Sequence, residues 1–189
     1  MTGTRFASFD TAIGRCALIW RDAVVGAALP EPSEAALRRR IAARFPEAVE
    51  ATPTEPIAAA IAGVVRLLAG EAVDLSFIAV DLSGCADFER RVYAETCAIP
   101  PGEVRTYGEI AAALDAPGAS RAVGTALGRN PIPIIVPCHR IVAADGRSGG
   151  FSAPGGAETK LRMLEIEGAR RSLEPELFER LPWATKPRP

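Results

Sequence analysis

Cys138 and His139 stand side by side at the end of the stretch Asn130-Pro-Ile-Pro-Ile-Ile-Val-Pro-Cys-His-Arg140, and His139 is the only histidine among 189 residues. A cysteine is a strong nucleophile only as its thiolate, and a neighbouring imidazole is the commonest group to take its proton. The pair therefore points to nucleophilic chemistry at sulfur. An imidazole working as a base also needs an acceptor to orient it, and the sequence alone does not choose among the 23 carboxylates. If 132–136 is a buried strand, Cys138 and His139 face opposite sides for as long as the strand continues. Either Pro137 breaks the strand, or His139 acts on the thiol through a water.

The remaining cysteines, Cys16, Cys85 and Cys97, form no C-x-x-C pair, and a single histidine does not complete an ordinary zinc set. Neither a metal nor a cofactor is expected. Dispersed cysteines in a chain of this size read as reduced thiols of a cytoplasmic protein. Gly14, Arg15, Arg21 and Asp22 interrupt the apolar runs of the N-terminus, so neither a signal peptide nor a membrane span is expected. At 48% hydrophobic and 24% charged the composition is globular, and a net charge of -1 carries no global mark of a nucleic-acid binder.

The elements that must position this pair can be read in order. Residues 6–9, 15–20 and 23–29 read as antiparallel strands of a meander. Ser33 opens a helix with Leu37, Ile41 and Phe45 at four-residue spacing, and its Arg38, Arg39, Arg40 and Arg44 read as a solvated face rather than a phosphate site. A second helix over 54–68 ends before Gly70, and 75–82 returns as a strand. Residues 86–98 form a helix with Phe88, Val92 and Tyr93 as its apolar side. Thr106 and Glu109 make a capping box for a short helix, and the turn 115–118 leads to another over 119–127, the pattern of a helix-turn-helix. In that last helix Ala119, Ala122, Gly124 and Ala126 are small and Arg121 is the one long cation. Two readings stay open: close packing against another helix, or close approach to a DNA surface with Arg121 inserted. Residues 157–167 make an amphipathic helix with Leu161, Leu164 and Ile166 inward, stopped by Gly168.

Pro137-Cys138-His139-Arg140, preceded by Asn130-Pro131 and followed by Gly150-Phe151-Ser152, resembles the active-site signature of the O6-alkylguanine-DNA alkyltransferases, also called methylated-DNA–protein-cysteine methyltransferases. The resemblance runs in register from about residue 88 to 168. It implies a relay from Glu167 through His139 and a water to Cys138, with Asn130 holding the turn that positions the thiol. Tyr107 and Ser152 would hydrogen-bond the guanine, Phe151 would wall its pocket, and the glycine-rich loop 148–156 would close around it. Phe151 stands where some members have tyrosine, so stacking is kept and a hydroxyl is lost. Arg121 would take the place of the flipped nucleotide while its helix, with Ala122 and Gly124 on the approaching face, lies in the minor groove; Arg140 is expected on the same DNA-binding side.

The fold class that follows is an α+β N-terminal module, an antiparallel sheet plus helices over residues 1–85, ahead of a mainly α domain over 86–170 with a winged helix-turn-helix-like motif. Residues 171–189 form a tail. The implied activity is removal of alkyl groups from O6-alkylguanine, extending to O4-alkylthymine, in double-stranded DNA. The group would move irreversibly to Cys138, one turnover per monomer, because a thioether has no easy hydrolysis route. The alternative is a damage sensor that binds alkylated bases without transfer, a class that replaces the reactive cysteine.

Overall fold

The computed structural model describes residues 3–144 and 155–169. β1 (Arg5–Thr11), β2 (Gly14–Trp20) and β3 (Val24–Ala28) form the expected meander, with Thr11 opposite Gly14 across the first turn. Helix α1 (Glu34–Arg44) starts at Ser33, whose hydroxyl accepts from Ala36 N at 3.2 Å. A two-residue strand, β4 (Val49–Glu50), then joins β1 in parallel, so the sheet order is β3-β2-β1-β4. So short a strand has no periodicity to read, and the sequence does not announce it.

Alternation along β2 explains how the sheet is covered. Ala17 and Ile19 pack with Phe6, Ala28 and the α1 residues Leu37 and Ile41. Cys16, Leu18 and Trp20 point the other way, into a larger cluster with Ile57, Val64, Leu67 and Leu68 of α2 (Glu55–Leu68). That cluster continues past residue 85 into Val92 and Tyr93 of α3 (Asp87–Cys97), Ile110 and Ala111 of α4 (Tyr107–Ala113), and Val123, Ala126 and Leu127 of α5 (Ser120–Gly128). Each buried Val, Leu and Ile side chain among these contributes roughly 1.5–3 kcal/mol. The site-bearing half is thereby fixed against the sheet.

The capping box forms as the residue types require: Thr106 Oγ1 accepts from Glu109 N at 3.1 Å while Glu109 Oε2 accepts from Thr106 N at 2.6 Å. Between α4 and α5 the chain turns through Asp115 and Gly118, both at positive φ; at 90° Gly118 occupies a conformation that favours glycine. Tyr93, fully buried, donates from its hydroxyl to Ala126 O at 2.9 Å and ties α3 to α5.

Two expected strands are absent. Over 75–82 the buried residues Leu75 and Ile78 lie three apart, a turn period rather than a strand period, and Asp74 caps the turn through Ser76 N at 2.8 Å. A single bridge between Val24 and Val80 is all that reaches the sheet. Over 132–136 the chain instead turns back on itself, Val136 N donating to Ile132 O at 2.9 Å, with Ile134 at φ 79°. Pro131, Pro133 and Pro137 carry no N–H, so a would-be strand loses a ladder donor inside the run and at both of its ends. Positive φ is strained for a β-branched residue, and the burial of Ile132, Ile134, Ile135 and Val136 holds it there. Beyond this loop a parallel pair, β5 (Arg105–Thr106) with β6 (Ile141–Val142), and helix α6 (Gly156–Ile166) complete the described fold.

Candidate active site

The loop over 130–137 is knotted by one side chain. Asn130 Nδ2 donates to Val136 O at 2.8 Å, and Asn130 Oδ1 accepts from Ile132 N at 2.9 Å. Asn130 thereby fixes the loop that leads into Cys138, and its side chain is among the influences that lower the Cys138 pKa. Cys138–Arg140 then forms one 3-10 turn. Residues in such a turn are spaced about 120° apart rather than on opposite faces. The strand on which that alternation rested is absent, yet Cys138 and His139 still point in different directions.

Cys138 lines a cavity of about 270 Å³ together with Tyr107, Asn130 and Pro133. His139 points into the protein instead, and its Nε2 lies 2.9 Å from Glu167 Oε1, both side chains almost wholly buried. A carboxylate can only accept, so Nε2 carries the hydrogen and Nδ1 presents a lone pair. That Nδ1 is buried with no partner among the described residues.

Arg140 departs from the expectation. It is 5% exposed, and it donates from Nε to Glu167 Oε2 at 2.9 Å, from Nη2 to Glu167 Oε1 at 2.8 Å, and from Nη1 to Ile99 O at 2.6 Å. It is a buried counter-ion, not a residue of a DNA-facing surface. The reason is electrostatic: burial pushes His139 below its ordinary pKa, despite the raising influence of Glu167, so the imidazole is neutral and Glu167 needs another cation. Burial by itself would raise the Glu167 pKa, but the bonds from His139 and Arg140 outweigh it and hold the carboxyl at about 2. Close packing helps to place it, since a Cβ on Gly102, at φ 83°, would fall 2.8 Å from Glu167 O.

Lys160 is a group the sequence reading missed. It is fully buried, donates from Nζ to Ile141 O, and lies 5.9 Å from the centre of the Tyr107 ring. Burial lowers its pKa to about 8, opposed by the charge of Cys138. A signal existed: 160, 164 and 167 share one face of α6, so the helix that carries Glu167 inward also carries a lysine inward two turns earlier. Burial pushes the Cys138 thiol up, while Asn130, Lys160 and the backbone N–H groups of Cys138 and His139 pull it down. The resting site thus holds a thiol beside a set of groups that favour the thiolate. Tyr107 is likewise raised by burial, next by the charge of Cys138, and keeps its phenolic proton at neutral pH.

Tyr107 separates the cavity from a shallow groove lined by Ser120, Arg121, Gly124 and Thr125 of α5. Arg121 and Ala122 are exposed there, Gly124 is half-buried, and Ala126 packs inward with Val123 and Leu127. Of the small residues of α5, Ala126 is used in packing, while Ala122 and Gly124 lie toward the outside. Phe151 and Ser152, with most of the glycine-rich loop, lie outside the described residues.

Residues 87–169 match the family model for the 6-O-methylguanine DNA methyltransferase DNA-binding domain. The methylated-DNA–protein-cysteine methyltransferase of Mycobacterium tuberculosis is 47% identical over 111 residues, 59% of this chain, a stretch that spans 65% of that relative. The enzyme of the same name from Mycolicibacterium paratuberculosis is 44% identical over 124 residues, 64% of this chain and 73% of its own length. The crystal structure of Mycobacterium tuberculosis OGT in complex with DNA superposes with a TM-score of 0.72 and 34% identity, covering 88% of this chain and 94% of the other.

Proposed function

The chain belongs to the methylated-DNA–protein-cysteine methyltransferase family, and from that premise we propose that it repairs double-stranded DNA by taking the alkyl group of O6-alkylguanine onto Cys138. The observation that carries this reading is a buried thiol lining a cavity, backed by a neutral, carboxylate-oriented imidazole whose second nitrogen is a buried acceptor. A stacked base hides its alkyl carbon, so the nucleotide must turn out of the duplex, at a cost of a few kcal/mol. Helix α5 enters the minor groove as the recognition helix of a winged helix-turn-helix, and Arg121 fills the space the base leaves.

In the cavity the steps follow from the proton positions. His139 Nδ1 removes the Cys138 proton through one bridging water, and Glu167 steadies the imidazolium that forms. The thiolate attacks the alkyl carbon, the carbon–O6 bond breaks, and Tyr107 gives its proton to the departing guanine. Lys160 supplies the countercharge for the thiolate and sits close enough to the Tyr107 ring to favour the phenolate left behind. The product is a thioether, so each monomer acts once, and the reduced thiols of the cytoplasm suit such a protein.

Mass spectrometry of the intact protein and of its 130–140 tryptic peptide, after mixing with duplex containing O6-methylguanine, tests the proposal. One methyl per protein, confined to that peptide, is the expected result; an unmodified peptide with the lesion still in the DNA would sink it. Lys160 adds a sharper expectation. Lys160→Met slows transfer at pH 7 by roughly tenfold and moves the rising limb of the rate–pH profile to higher pH, because the thiolate loses its nearest countercharge. An unshifted profile would leave Lys160 a purely structural role.

A further inference from the structure

The cavity that Cys138 lines is closed on its far side by the N-terminal module, where Arg40 and Arg44 stand one turn apart on α1. That helix is held firmly. Leu37 and Ile41 are buried against the sheet, and Phe45 lies so close to Gly26 of β3 that a Cβ there would fall 2.8 Å from its ring. The arginines of this helix then differ in their partners. Arg38 is bound by Glu34 and Glu50, and Arg40 by Glu31 at 3.2 Å. Arg44 has no carboxylate partner among the described residues and stacks over the Phe45 ring, 5.5 Å from its centre. A stacked guanidinium keeps its N–H fork free for a planar or tetrahedral anion.

We propose that Arg44, with Arg40 behind it, binds a backbone phosphate of the DNA strand whose base enters the Cys138 cavity, an inference that rests on the alkyl-transfer reading above. The N-terminal module is then part of the DNA footprint and not only a support. It also accounts for how a chain of net charge -1 holds a polyanion: the cation that matters, Arg44, has no carboxylate partner among the described residues and is set in the wall of the site. The helix face that reads in sequence as merely solvated divides into two arginines paired with carboxylates, Arg38 and Arg40, and two without such a partner among the described residues, of which only Arg44 lines the cavity.

Binding of O6-methylguanine duplex, followed by fluorescence anisotropy over a NaCl series in a Cys138→Ala background, tests the assignment. Arg39→Ala is the charge-matched control, since Arg39 is exposed on the same helix but does not line the cavity. Arg44→Ala is expected to weaken binding about fivefold and to lower the slope of log K against log salt by about one, while Arg44→Lys restores the slope and Arg39→Ala changes neither. With Cys138 intact, Arg44→Ala lowers the ratio of transfer from duplex to transfer from free O6-methylguanine base, which has no phosphate, by about the same factor. Equal behaviour of the Arg44 and Arg39 variants, or an unchanged ratio, overturns the proposal. Failure of the unmodified protein to accept a methyl group from either substrate would instead be a failure of the transfer reading itself.

Discussion

With Cys138 replaced by alanine, no alkyl group is found on the protein after incubation with O6-methylguanine duplex, yet the lesion is still bound. Removal of the nucleophile leaves no other thiol in place: Cys16 is buried with its pKa raised to about 11, and the thiols of Cys85 and Cys97 are also raised, first by burial. None of the three lines the cavity. Alanine keeps the Asn130 bonds to Val136 and Ile132, so the loop and the cavity stay formed. The cost in stability is about 1 kcal/mol, the transfer value of one small buried group. The variant therefore behaves as a lesion-binding protein, and a gel-shift assay beside the mass measurement separates the two activities. Methylation persisting on another residue would show that the cavity has been assigned to the wrong nucleophile.

Glu167→Gln has an effect of a different kind, because it acts on the fold and the chemistry together. The carboxylate takes one bond from His139, two from Arg140 and a longer one from Gly102 N at 3.4 Å, all inside the protein. An amide in its place leaves the buried Arg140 guanidinium without a counter-ion, which costs about 3–5 kcal/mol. It also offers an N–H toward His139, so the imidazole tautomer is no longer fixed and transfer falls by on the order of 10²–10⁴.

The pH dependence follows from the direction of the shift. Glu167 has its folded pKa depressed from 4.5 to about 2, so its contribution is fully present above the unfolded value and is lost as pH falls from about 4.5 toward 2. A shift of that size corresponds to about 3 kcal/mol. Urea unfolding at pH 7 and again near pH 3 should show the wild type losing stability and the gap to the variant narrowing. A gap of constant size would mean that Glu167 is held by packing rather than by its charges.

Much of the fold was legible in the sequence, and the reasons are local. Ser33, Thr54 and Thr106 stand as N-caps where their helices begin, and the short apolar run 16–20, bounded by breaks on either side, reads as a strand and is buried on both faces in the structure. Helix periodicity in 157–167 and a stop at Gly168 placed Glu167 at the end of a helix. Those features depend on residues within one or two turns of each other, and neighbouring side chains determine them. The Cys138–His139 pair was legible for the same reason, its members being adjacent.

What the tertiary structure decided involves partners far apart in the chain. Arg140 looks like a surface cation until Glu167, 27 residues on, is brought against it in the interior, and Lys160 looks like a polar point on a helix until Ile141 and Tyr107 surround it. The run 132–136 has the composition of a buried strand, yet three prolines and the Asn130 side chain make it a turn that aims Cys138 at a cavity. Arg44 reaches the wall of the Cys138 cavity only because α1 folds onto the sheet beside Asn130 and Pro133. Sequence by itself determined which atoms can react and which segments are helical. Only the packing of distant segments decided which charges are neutralised, because burial and counter-ions, not residue type, set the charge that each group carries.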